Sequence, residues 1–205
     1  MREFLAKVKT LRWDDHRYYH QSRINQTLHL ISAISFLVAY LLLFINPAAA
    51  GLVGWLVGMV TRQSGHLFFE PRGYDHINDA SYDHKEAIKV GYSMRRKAIL
   101  ITIWLSLPLL LYFVPGFFGL LEPSSDFAGY VHNLGLIWLA LGVGGLLLRT
   151  VHLFFLRGPV WGLAWACKIL TDPFHNIEIY WKSPLALMHG QLLDPIDPEH
   201  CQALA

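Results

Sequence analysis

The sequence predicts an all-α integral membrane protein of four transmembrane helices carrying a histidine-rich cytoplasmic cap. Three observations predict it: long apolar runs, a one-sided distribution of Lys and Arg, and the placement of ten of the eleven histidines on that same basic side. Hydrophobic residues make up 54% of the 205 positions and charged residues only 16%, a balance that soluble domains of this size seldom show.

Leu28 to Ile45 is the first run, Ala98 to Leu121 the third and Leu134 to Leu156 the fourth. Each is long enough to cross ~30 Å of hydrocarbon at ~1.5 Å per helical residue. The second, Ala48 to Val60, is shorter and continues through Thr61, Arg62 and Gln63 if those side chains face protein. It reads as the return arm of a hairpin turning at Asn46-Pro47. The expected spans are therefore 28–45, 48–63, 98–121 and 132–156, and the cap is built from 1–27, 64–97 and 157–205, all within one membrane domain. Val160 to Leu170 is apolar but interrupted by Lys168 and too short to span, so it belongs to the interface or the protein core. Met1 to Thr27 is polar and basic, so the first helix is the expected targeting signal.

Arg2, Lys7, Lys9, Arg12, Arg17 and Arg23 precede the first span. Arg62, Arg72, Lys85, Lys89, Arg95, Arg96 and Lys97 lie between the end of the second and the start of the third. Glu122 to Tyr130 has no Lys or Arg, so the positive-inside rule places both termini and the central loop in the cytoplasm of a bacterial inner membrane or an endoplasmic reticulum membrane. A net charge of +2, spread over juxtamembrane positions, suits anionic lipid and gives no reason to expect nucleic acid as a partner. Cys167 and Cys201 match no zinc or thioredoxin spacing, and no disulfide is expected on the reducing side.

On this topology His16, His20, His29, His66, His76, His84, His152, His175, His189 and His200 share one side, and His132 lies near the other. His16 and His20 are four residues apart, as are Asn25 and His29, and His66 and Glu70. Each pair therefore shares a helix face and can aim two groups at one centre. Imidazole plus carboxylate is also the ligand set of mononuclear non-haem Fe(II) oxygenases. Gly65-His66-Leu67-Phe68-Phe69-Glu70 sets two ionisable groups among large apolar residues, which is costly unless they are paired or bind metal. Glu70 reads either as a ligand or as the partner that orients a ligating imidazole. A structural hydrogen bond is the competing reading for each histidine, and His76 and His84 read as solvated loop residues. Tyr180-Trp181-Lys182-Ser183-Pro184 reads as an interfacial anchor.

Tyr19-His20, Asn25 and His29, then a short two-span hairpin, then Gln63-Ser64-Gly65-His66-Leu67-Phe68-Phe69-Glu70, together resemble the membrane 2-hydroxy-fatty-acid dioxygenase family. That family pairs a His-x4-Asn-x3-His element with a Gln-x-x-Gly-His-x-x-Phe-Glu element. His20, Asn25, His29, Gly65, His66, Phe69 and Glu70 fit, whereas Gln63 stands one residue closer to the glycine. The resemblance spans roughly residues 19 to 70, about a quarter of the chain. Pro71 to Asp75 and Asp172 to Glu178 do not follow the family pattern.

The resemblance implies a cytoplasm-facing Fe(II) enzyme that removes one carbon from a 2-hydroxy fatty acid, with dioxygen as co-substrate. His20, His29 and His66 would hold the metal, with Glu70 or His175 completing or orienting the ligand set. Arg62, Arg72 and Asn25 are the candidate substrate contacts, a guanidinium suiting a carboxylate. Two other readings stay open. A di-iron membrane hydroxylase or desaturase also gathers histidines beside four spans, and His16-x3-His20 fits its first box, but no paired-histidine box is present. A non-enzymatic lipid-binding or assembly protein would use its histidines only for structural bonds.

Overall fold

A computed structural model describes residues 1–195, and the expectations for His200 and Cys201 fall outside them. The described chain is helical, with only two isolated antiparallel bridges, Ser22 with Leu193 and Asp75 with Ala80.

Helix α1 (Arg2–Tyr19) ends at His20, and Ser22 caps α2 (Arg23–Leu42) by accepting the Asn25 amide proton. The hairpin follows as expected. The Asn46 side chain accepts the Ala49 N–H at 3.1 Å and Pro47 occupies the first turn of α3 (Pro47–Val53). The return arm then passes through a π-helical segment, Gly54–Met59, into α4 (Val60–Phe68). A short α5 (Tyr82–Ile88) lies in the central loop, before α6 (Met94–Phe113) and α7 (Phe127–Arg157). Gly158, at φ +92°, makes the sharp joint to α8 (Pro159–Tyr180), and α9 (Ser183–Met188) closes the fold.

Three helices, α2, α6 and α7, are long and apolar enough to cross a membrane. The second expected span, the return arm, is helical from 47 to 68 but divided into three pieces, none of spanning length by itself. The third span stops earlier than the apolar run. Pro115 forces Val114 out of the helical region, to φ −129° and ψ 73°, so α6 ends at Phe113 rather than near Leu121. The apolar stretch 160–170 belongs to the core: α8 packs on α1, α2 and α7 and buries Ala164 and Trp165. Its interrupting Lys168 is satisfied by Asp15 at 2.8 Å and Asp172 at 2.7 Å.

Two contacts fix where the arm runs. Gly51 of α3 faces Gly135 of α7 so closely that a Cβ on either would strike the other helix's backbone, at Gly135 or at Ala48. Small residues of this kind let membrane helices approach backbone to backbone. At the other end, Gly65 of α4 sits against the Asn25 side chain of α2 with no room for a Cβ. That approach sets α4 beside the start of α2.

Candidate metal centre

His20 ends α1, His29 lies two turns into α2 and His66 is near the end of α4. The turn between α1 and α2 and the Gly65–Asn25 approach bring all three together. Their ring centroids lie 4.1 to 5.1 Å apart, and each offers one nitrogen within 4.8 Å of the others. All three are buried, His29 completely.

Hydrogen bonds assign the tautomers. His20 Nδ1 lies 2.7 Å from the Asp15 carbonyl, so it carries the proton and donates. His66 Nδ1 likewise donates to Glu70 Oε2 at 2.7 Å. Both rings therefore turn an unprotonated Nε2 to the inside, and His20 Nε2 is 3.1 Å from His29 Nε2. Burial pushes the His20 pKa down to about 4, against the opposing pull of the Asp15 carboxylate, so the imidazole is neutral at physiological pH. His29 Nδ1 is buried without a partner. Neutral, converging imidazoles with the outer nitrogens tied to a carbonyl and a carboxylate form the arrangement that metal-binding histidines adopt. His20, His29 and His66 could hold a metal ion.

Glu70 is thus placed as the orienting partner of His66, not among the three converging ligand groups. Burial raises its pKa while the ammoniums of Lys89, 3.3 Å away, and Lys97 oppose the rise. His175 does not join the cluster: it is half-buried on α8 with Nδ1 3.8 Å from Glu178. The α8 register turns Asp172 and Asn176, rather than His175, into the interior.

A cavity of about 560 Å³ opens beside the cluster, and His66 is the one of the three histidines that lines it. Its body is apolar, with Phe36, Leu43, Trp55, Leu139 and Leu146, and its polar end gathers Arg62, Gln63, Lys89, Lys97 and Lys168, with Asp14 and Asp15 also in the lining. Of the expected substrate contacts, Arg62 lines this end but already reaches Asp172 at 3.4 Å. Arg72 is exposed and donates to the Leu67 carbonyl, away from the cavity. Asn25 is fully buried, donates to the Tyr19 carbonyl at 2.7 Å and braces the turn against Gly65, with no face on the cavity.

Several supporting residues escape sequence reasoning. Asp15 supplies the carbonyl that orients His20 and the carboxylate that pairs with Lys168. Gln26 donates to the His20 carbonyl at 2.7 Å and accepts the Ser183 hydroxyl. Tyr180, expected as an interfacial anchor, is instead buried beside His20 at 5.8 Å between ring centroids, with its hydroxyl 3.2 Å from His16 Nδ1. Lys168 and Asp172, charged and four apart after the apolar first turns of α8, were the available signal for this side of the site. His76 and His84 are both exposed, as expected of solvated residues, but only His76 lies in a turn, and His84 falls within α5 rather than in a loop.

Comparison with protein-family models, with curated proteins and with solved structures returns no match for this chain.

Proposed function

We propose that the chain is a membrane-embedded Fe(II) dioxygenase that shortens 2-hydroxy fatty acids by one carbon, with four membrane-crossing segments and both termini cytoplasmic. The observation that carries this reading is the joining of a buried three-histidine cluster to an amphipathic cavity through a single residue, His66. Fe(II) at the cluster would supply dioxygen activation, since three protein ligands leave positions open for dioxygen and substrate.

The chain's own residues do the rest. Glu70 and the Asp15 carbonyl hold two imidazoles in the ligating tautomer and orientation. The apolar wall formed by Phe36, Leu43, Trp55 and Leu146 accommodates the acyl chain and keeps water from it, and the cationic end receives the acid head beside His66. The overall change balances as one 2-hydroxy acid and one dioxygen giving the acid one carbon shorter, carbon dioxide and water.

Among the described residues one cluster offers three such donors, which favours a single ion over the two irons of a membrane hydroxylase or desaturase. Purified protein reconstituted anaerobically with Fe(II) should consume dioxygen only when a 2-hydroxy fatty acid is added, releasing the shortened acid and carbon dioxide. A product of unchanged carbon number would point to a hydroxylase or desaturase. An absence of uptake with any acid would leave a lipid-binding protein.

A further inference from the structure

Four cations, Arg62, Lys89, Lys97 and Lys168, gather at the polar end of the cavity, and direct ion pairs hold three of them. Lys168 is paired with Asp15 and Asp172 at 2.8 and 2.7 Å, Lys89 with Glu86 and Glu70 at 2.8 and 3.3 Å, and Arg62 with Asp172 at 3.4 Å. Lys97, in the first turn of α6, lines the same cavity and is only 7% exposed. Among the described residues its ammonium has neither a hydrogen bond nor an ion-pair partner. Glu70 acts on it only from beyond ion-pair distance, and a buried ammonium with no direct partner is an unfavourable arrangement that an anion entering the adjoining cavity would relieve.

We infer that Lys97 is the counter-ion for the ionised carboxylate of the cavity's lipid ligand, and that it selects the free acid over an uncharged ester or thioester. This rests on the proposed fatty-acid substrate, and it moves the carboxylate contact from Arg62 and Arg72 to Lys97. Arg62 is committed to Asp172, and Arg72 lies away from the cavity. The lysine's charge is the specificity element: an esterified head would leave it unpaired, whereas a carboxylate pairs with it at the end of the cavity that His66 also lines.

The test uses metal-free, full-length protein in non-ionic detergent, so it does not depend on iron or turnover. Binding of dibromostearic acid and of its methyl ester is followed by quenching of Trp55, Trp161 and Trp165, which line the cavity. The wild type should bind the acid at least tenfold more tightly than the ester. Lys97→Met should erase that preference by weakening the acid alone, and Lys97→Arg should restore part of it. Ligand-free Lys97→Met should also melt at the same temperature as the wild type or higher, because an unpaired buried charge has been removed. A purely structural lysine would give the opposite shift.

Equal affinity of the wild type for acid and ester overturns the inference without any variant. So does retention of the preference in Lys97→Met, or displacement of the acid by phosphatidylglycerol at equal concentration, which would assign the lysine to a headgroup phosphate. Lys97-dependent acid binding in a protein that consumes no dioxygen would remove the oxygenase reading and leave this one standing.

Discussion

The two ends of the helical bundle are held by different physics. At one end, Trp55 of the return arm, Leu107 and Leu111 of α6 and Leu134, Ile137 and Trp138 of α7 form an apolar cluster. The Gly51–Gly135 approach clamps this end backbone to backbone. At the other end, α1, α2, α4 and α8 bury His20, Asn25, Gln26, His29, His66, Lys168 and Asp172. Dispersion and shape govern the first, where one hydrophobic residue can stand in for another of similar volume. Directional bonds govern the second, where each donor needs its own acceptor and substitution leaves a buried group unpaired. The apolar end therefore sets whether the helices assemble, and the polar end sets what the assembled helices can bind.

Gly135→Leu should break this division most severely. The new side chain meets the Ala48 backbone, which cannot yield as a side chain would, so α3 and α7 must separate. A cost of about 3 kcal/mol or more is expected from overpacking, read as loss of monodisperse protein in detergent gel filtration. Recovery of a well-folded protein would show that the glycine pair is not a clamp.

Glu70→Gln acts at the opposite end and should leave assembly intact. An amide still accepts the His66 Nδ1 proton but without charge, and loss of such an orienting carboxylate typically weakens metal affinity ~10–100-fold. Competition with a chromophoric chelator measures this. An unchanged affinity would remove Glu70 from the site. Volume-conserving swaps in the apolar cluster, such as Ile137→Leu, should cost less than about 1.5 kcal/mol and leave metal affinity unaltered; a shift in affinity would show the two ends to be coupled. Arg72→Ala should do least, within about 0.5 kcal/mol in stability, with no change in acid binding.

How much of this is legible in the sequence depends on the range of the interaction. His66 and Glu70 share a helix face by their spacing, and their placement among Leu67, Phe68 and Phe69 already requires a partner for each; the structure pairs them with one another. His20 and His29 meet across a three-residue turn, again a local event. The hairpin at Asn46-Pro47 and its cap are equally local. What fails is long-range. Nothing in the spacing of α8 fixes its rotation, so neither the outward turn of His175 nor the burial of Tyr180 is legible in it. Arg62 and Lys97 both read as juxtamembrane charge, and only the Asp172 contact made to one of them tells them apart. The π-helical segment and the early end of α6 show the same limit: apolar composition continues through both, while backbone geometry does not.

Whether His20, His29 and His66 form one metal centre is decided by mass-spectrometric metal content per chain in protein reconstituted anaerobically with Fe(II) and then desalted, for the wild type and for His66→Ala. About one ion per wild-type chain is expected, with near-total loss in His66→Ala while gel-filtration behaviour is preserved. No ion in the wild type, or the same content in both proteins, would mean that the three imidazoles converge only for structural reasons.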